Sequence, residues 1–193
     1  MTSPNNIVEH NAVAGGTHFG YWYRMLRTPD GPSFAMFPNF CPHRQPIGRF
    51  FNTTVHSVGR FGVWIFPEYS PTVGGSCSGF NPQQAVFDGL ISWKNDRGFE
   101  WVMSSTIQIR NALVFDNHDT GIRCVTAIDH QGVNIVNLRN TFYNENTGSS
   151  VINAVVIGDL GISSPIVPGE GGLVGKCRFQ IYAEHSSRFV LFQ

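Results

Sequence analysis

The chain has 193 residues, with 13 Lys and Arg against 13 Asp and Glu and a formal net charge of +0 at pH 7. That balance excludes the basic excess by which nucleic-acid-binding proteins attract phosphates, and no apolar run approaches the roughly 18 residues needed to cross a bilayer. One domain of this size buries a substantial core.

In chain order, β-type alternation is already running at Asn6-Ile7-Val8. The sequence therefore reads as a segment of a larger extracellular region, with any secretion signal outside it. A burst through Val13 leads into Phe19-Gly20-Tyr21-Trp22, and residues 28–46 then hold five prolines, the composition of a loop. A second burst runs through Val55 into Phe61-Gly62-Val63-Trp64, followed by another loop at 67–82 with three prolines and Gly74-Gly75. The third runs through Ile91 into Gly98-Phe99-Glu100-Trp101, and the fourth through Val114 into Gly121-Ile122. Weaker bursts cover residues 133–143 and 151–162. The last four residues, Val190-Leu191-Phe192-Gln193, read either as a native strand or as the remnant of a protease site used to remove tags, with the domain proper at residues 1–189.

Helical periodicity is nearly absent, and four apolar residues stand seven positions before a glycine: Val13 before Gly20, Val55 before Gly62, Ile91 before Gly98 and Val114 before Gly121. Successive glycines are 42, 36 and 23 positions apart, so the shortest interval is one bare unit and the longer two carry the proline-rich insertions. A bare repeat with short strands and a glycine turn is one coil of a solenoid. The expected fold is all-β, a right-handed parallel β-helix of about five or six coils with two loop insertions. The glycine turns should lie along one edge. Fifteen Asn, among them Asn52, Asn111 and Asn140, suit bends where Asn tolerates left-handed backbone or stacks in ladders. A β-sandwich also uses short strands, but nothing in it requires a fourfold apolar-to-glycine spacing.

The segments NAVAGGTHFGYWYRM (11–25), with Pro29-Asp30-Gly31-Pro32, and PIGRFFNTTVHSVGRFGVWIFPEY (46–69) resemble the fibrocystin and fibrocystin-L family of large single-span surface proteins. AVFDGLISWKNDRGFEWV (85–102) follows more loosely, and the likeness fades beyond residue 158. The resemblance implies a right-handed parallel β-helix in an extracellular region, at a cell surface and in some members a ciliary membrane, and it implies no catalytic residue. A related branch, the cell-migration-inducing hyaluronidase and its transmembrane homologue, couples a similar β-helix to hyaluronan depolymerisation. No residue of that activity matches a motif here.

Several constellations could carry chemistry. Cys41 and Cys77 occupy the two insertions after adjacent repeats, so stacked coils would bring them together as a disulfide. Cys124 and Cys177 are either a second pair or buried thiols. Asn52-Thr53-Thr54 is the sole N-glycosylation sequon, and Asn52 serves either as an acceptor or as a buried turn residue. Trp22, Trp64 and Trp101 form a candidate row for stacking on sugar rings. Tyr21 and Trp22, as strand neighbours, cannot both face inward. Asp116, His118 and Asp119, with Asp129 and His130 beyond, make a candidate acid/base or Ca²⁺ cluster or simply a solvated turn. No other cofactor is implied. The expected function is a noncatalytic structural or adhesive module whose partners are neighbouring β-helix coils, proteins or glycans. The alternative is a carbohydrate-active β-helix of the hyaluronidase or polysaccharide-lyase kind.

Overall fold

The structure, a computed structural model, describes residues 3–79, 81–104, 106–125, 150–156, 173–175 and 180–182. The strands are β1 (Ile7–Glu9), β2 (Ala12–Ala14), β3 (Phe19–Tyr23), β4 (Arg49–His56), β5 (Phe61–Ile65), β6 (Ala85–Trp93) and β7 (Arg97–Val102). They continue with β8 (Ile107–Arg110), β9 (Leu113–Phe115), β10 (Thr120–Val125), β11 (Ser150–Ile152), β12 (Val155–Val156), β13 (Leu173–Gly175) and β14 (Gln180–Tyr182). Every pairing between them is parallel. One sheet follows the path β1-β4-β6-β8-β11-β14 with β2, β9 and β12 beside it, and a second sheet of five strands runs β13-β10-β7-β5-β3. The chain is a parallel β-helix, and its rungs number five in the second sheet and six along the first among the described residues.

Each rung has an initial straight stretch, a bend, a second stretch, another bend, and a strand of the second sheet. The first bend is a column of left-handed residues: His10 (φ 53), Asn52 (φ 45), Gly89 (φ 69), Asn111 (φ 49) and Asn153 (φ 48). Left-handed backbone suits Gly and Asn best, which is why the asparagines fall there. Asn111 donates to Asp88 Oδ1 at 2.7 Å and Asn153 to Asn111 Oδ1 at 2.6 Å, tying rung to rung. The expected left-handed Asn bends are thus present at Asn52 and Asn111, with the ladder running through Asn111, while Asn140 lies outside the described residues. Gly15, Ser57, Lys94 and Asp116, with φ from 51 to 73, form the second bend.

Inside, Phe50, Phe87 and Phe99 pack against Tyr21, Tyr23 and Trp101 in largely edge-on pairs with centroids 5.0–6.5 Å apart. All six are buried, each large apolar side chain contributing about 1.5–3 kcal/mol by leaving water. Two interior amides are paired along the stack. Asn95 and Asn117 stack beneath Val58: Asn95 Oδ1 accepts from Val58 N at 3.1 Å, and Asn117 Oδ1 accepts from Asn95 N at 3.1 Å and Nδ2 at 3.0 Å.

Two sequence expectations change. The repeat glycines do align, since Gly20, Gly62, Gly98 and Gly121 fall at one register position, but they sit inside β3, β5, β7 and β10 rather than at turns. Gly20, Gly62 and Gly98 are required by close approach. A Cβ on Gly20, Gly62 or Gly98 would meet the carbonyl oxygen of the next glycine in the column at 2.5–2.6 Å and an inward side chain of the following rung. The second change is that Ile91 does not belong to the inner column. Register pairs Val13, Val55, Ser92, Val114 and Val156, and places Ile91 outside between Thr54 and Leu113. The third rung is one residue shorter between this column and its glycine. Ser92 fits the interior because its hydroxyl donates to Gly98 O at 3.2 Å and accepts from Asn95 Nδ2 at 3.0 Å.

Both insertions leave the helix on the same side, between a second-sheet strand and the next rung. They pair there: Ser70 N donates to His43 O at 3.0 Å and Thr72 N to Arg44 O at 2.9 Å. Cys41 and Cys77 form a disulfide with Cα atoms 5.5 Å apart, and Tyr69, fully buried, donates its hydroxyl to Gln45 O at 2.9 Å.

Opposite outcomes are expected for two glycine substitutions. Gly62→Ala places a methyl 2.5 Å from Gly98 O and should lower the unfolding free energy by about 1–3 kcal/mol or more. Lys94→Gly removes a side chain from an exposed left-handed position and should leave stability unchanged or raised. Urea titration of both variants measures the contrast.

Candidate functional site

The outer surface of the second sheet is the most differentiated part of the molecule. Its register sets two outward columns side by side, Phe19–Phe61–Arg97–Thr120 and Trp22–Trp64–Glu100–Arg123. The first two rungs supply aromatic rings and the next two supply charges. Trp64 stacks on Phe61 at 4.6 Å, Phe66 at 4.6 Å and Phe19 at 5.1 Å, with planes within 10°, and Trp22 adjoins it at 5.5 Å. With three neighbours for two faces, the Trp64 ring is engaged by the protein itself. Trp22 is half-buried and Phe66 exposed. Trp22 Nε1 donates to Phe66 O at 3.3 Å.

The charged end continues this spine. Arg97 lies over the Phe61 ring at 5.2 Å, a cation–π contact. It also donates to Glu100 Oε2 at 3.1 Å and makes a short contact to Asp119. Glu100 is only 4% exposed. Its Oε1 accepts from Trp64 Nε1 at 3.0 Å, and Arg123 stands 3.7 Å from its Oε2 and 3.9 Å from Asp119. Burial pushes the Glu100 carboxyl above its ordinary pKa, although Arg97, the Trp64 N–H and Arg123 all pull the other way.

The residues singled out from sequence separate accordingly. Trp22 and Trp64 are neighbours in the outward column, but Trp101 is fully buried in the core. The reason is register. Trp22 and Trp64 stand two positions after their glycines and Trp101 three, so it falls in the inward column with Tyr23 and Ile65. Trp101 is therefore corrected from a glycan-contact residue to a core residue. The same offset would have found Glu100 and Arg123, which stand two positions after Gly98 and Gly121.

Asp116, His118 and Asp119 do not converge. Asp116 occupies the left-handed bend, where its carbonyl accepts from Lys94 N at 2.9 Å. His118 Nδ1 faces Asp96 Oδ1 at 3.3 Å, and Asp119 turns to the arginines. Among the described residues no group of three or more His, Cys, Asp or Glu is arranged to hold a metal. Asp129 and His130 lie outside them, as do residues 190–193 and Cys177. Cys124 pairs through its backbone with Trp101 and Gly175. Its side chain is not among the described atoms, so the second cysteine pairing falls outside the structure. Asn52 is exposed rather than buried.

Comparison with known proteins agrees with this architecture. The family model described as CEMIP beta-helix matches residues 1–63. Human fibrocystin-L is 41% identical over 175 residues, covering 89% of this chain and 4% of that protein. Mouse fibrocystin-L is 51% identical over 122 residues, covering 63% of the chain and 3% of the relative. The chain is a fibrocystin-like β-helix region. The human cell surface hyaluronidase CEMIP2 is similar at 29% identity over 138 residues, which is 61% of this chain and 10% of that protein. This fibrocystin-like region thus spans a small fraction of the relatives it matches, and among its described residues no helix is long and apolar enough to cross a membrane.

The raised Glu100 pKa sets a pH dependence. A carboxyl that titrates higher when folded contributes stability that is fully present below its unfolded pKa of about 4 and is lost as pH rises through the folded value. The stability difference between wild type and Glu100→Gln should shift in favour of Gln as pH rises through that window. Urea midpoints measured at a series of pH values would show it, and a difference independent of pH would contradict it.

Proposed function

We propose that this region is a noncatalytic structural and adhesive β-helix segment of a cell-surface protein, presenting its outer faces to protein or glycan partners. The carrying observation is the state of the carboxylates beside the aromatic spine. Glycoside hydrolysis requires an acid and a second carboxylate flanking an open bond. Here Glu100 is buried under Trp64 and between two arginines, and Asp119 is bound to the same arginines. Those charges neutralise one another.

The likeness to fibrocystin-L and to cell surface hyaluronidases supports an extracellular or cell-surface module, and the Cys41–Cys77 disulfide suits an oxidising compartment. A ciliary membrane is a narrower location within this reading. Neighbouring coils of the same solenoid are the protein partners that parallel stacking favours, because an end rung offers unpaired strand edges. The second reading, a carbohydrate-active β-helix, is favoured by relatives at 25–29% identity named as hyaluronidase or hyaluronan-binding proteins. Trp22 and Phe66, at the edge of the stack that Trp64 organises, are the aromatic groups that such a polymer would meet.

Incubation with hyaluronan and acidic polysaccharides, with and without Ca²⁺, followed by sizing of the products distinguishes the readings. The polymer is expected to keep its length, and any retention on immobilised protein to fall in Trp22→Ala or Trp64→Ala. Shortening that is lost in Asp116→Ala or Asp119→Ala would overturn the noncatalytic reading.

A further inference from the structure

The first left-handed column contains a site that the adhesive reading does not use. Asn52 opens the sequence Asn52-Thr53-Thr54 and sits in the middle of β4 with φ 45. It stands at the outer corner of its rung, with its neighbours paired to the next rung as Phe51 with Asp88 and Thr53 with Leu90. Thr53 points inward and is fully buried, whereas Asn52 is exposed. The strand turns at Asn52, and that turn carries the amide outward.

The surroundings of the amide matter more than the motif. Along the column, Asn153 is bonded to Asn111 and Asn111 to Asp88, so each of those amides is used between rungs. Above Asn52 the column position is Gly89, which brings no side chain, and a Cβ there would stand 3.0 Å from the Asn52 backbone nitrogen. The amide ladder is interrupted at that rung. On the other side Asn52 Nδ2 lies 3.0 Å from His10 Nδ1. A carboxamide nitrogen carries two hydrogens. With one directed to His10, the second remains for substitution, and the His10 contact survives the change because a substituted amide keeps one N–H.

We propose that Asn52 is an N-glycan acceptor and that the finished fold accommodates the sugar at this corner of the first sheet, away from the aromatic spine on the second. Transfer forms a bond between Asn52 Nδ2 and the anomeric carbon of N-acetylglucosamine in a lipid-pyrophosphate-linked oligosaccharide. It breaks the bond from that carbon to the pyrophosphate and releases the lipid pyrophosphate and the amide proton. The Cys41–Cys77 disulfide points to the oxidising compartment in which such donors are found. A hydrated glycan here keeps the β4 corner facing solvent, which leaves the second sheet and the insertions for partners.

The test is expression of the full 193-residue chain behind an added secretion signal in mammalian cells. Recovery from the medium and the lumenal fraction is followed by digestion with an amidase that releases N-glycans in ¹⁸O-water, and then by peptide mass analysis. The added signal forces entry into the compartment, so failure at Asn52 would count against the site and not against the cell-surface reading. The expected result is a mobility shift removed by the amidase and ¹⁸O-labelled aspartate at position 52. The shift should be lost in Thr54→Val, which leaves the left-handed residue untouched, and in Asn52→Asp, which tolerates that backbone, and kept in Thr54→Ser. An unmodified Asn52 peptide in disulfide-bonded wild-type protein would overturn the proposal, as would a shift that persists in Thr54→Val.

Discussion

In-register stacking of parallel rungs is the constraint on which the rest of this structure depends. Rungs separated by about 4.8 Å leave no freedom for a side chain to differ arbitrarily from those above and below it. A residue therefore belongs to a column before it belongs to a strand. The glycine column is the sharpest case, because each glycine in β3, β5 and β7 lies where a Cβ would strike the next glycine's carbonyl oxygen. Its consequence reaches the opposite wall, where Val55, Ser92 and Val114 occupy the space the missing side chains leave. Backbone hydrogen bonds supply the regularity, and these columns fix which register satisfies them.

The same constraint orders the outer surface. Aromatic residues that share a column stack on one another, and a change of residue type along the column places Arg97 against Phe61 and Glu100 against Trp64. The charged end is stabilised by its own internal pairing. The Glu100 carboxyl is held in one position by an indole N–H and two arginines, while burial raises its pKa. The insertions, fastened by Cys41–Cys77 and by backbone bonds between residues 43–44 and 70–72, add a second relief on a different side.

Much of this was legible in the sequence because a solenoid writes its geometry as spacing. The seven-residue intervals before Gly20, Gly62 and Gly121 located the rungs, and the proline-rich stretches located the insertions with their cysteines. Spacing misled where a rung was shortened by one residue. Ile91 matched the pattern as an apolar residue, yet Ser92 takes the inner position because Gly98 O and Asn95 satisfy its hydroxyl, a fact invisible without the third dimension. Trp101 misled similarly, since one position of offset from the glycine reverses the facing of a strand residue. The Glu100–Arg97–Asp119 network escaped notice because Asp119 grouped in sequence with Asp116 and His118, and only register brings it beside Arg97 on the neighbouring rung. Candidates such as Asn52 could be named from the motif alone, but whether the amide faces outward depended on the bend and on Gly89 in the next rung.

The column register itself can be measured through the outward positions Ala12, Thr54, Ile91, Leu113 and Val155, which stack in succession on the first sheet. Paired substitutions Thr54→Cys with Ile91→Cys, and Leu113→Cys with Val155→Cys, bring thiols onto adjacent rungs. Ala12→Cys with Val155→Cys separates them by four rungs, about 19 Å. With a short thiol-to-thiol cross-linker and peptide mapping, the account predicts efficient joining of both adjacent pairs in folded protein and none of the distant pair. Absence of cross-links in the adjacent pairs, or equal yield from the distant one, would contradict the stacked parallel register.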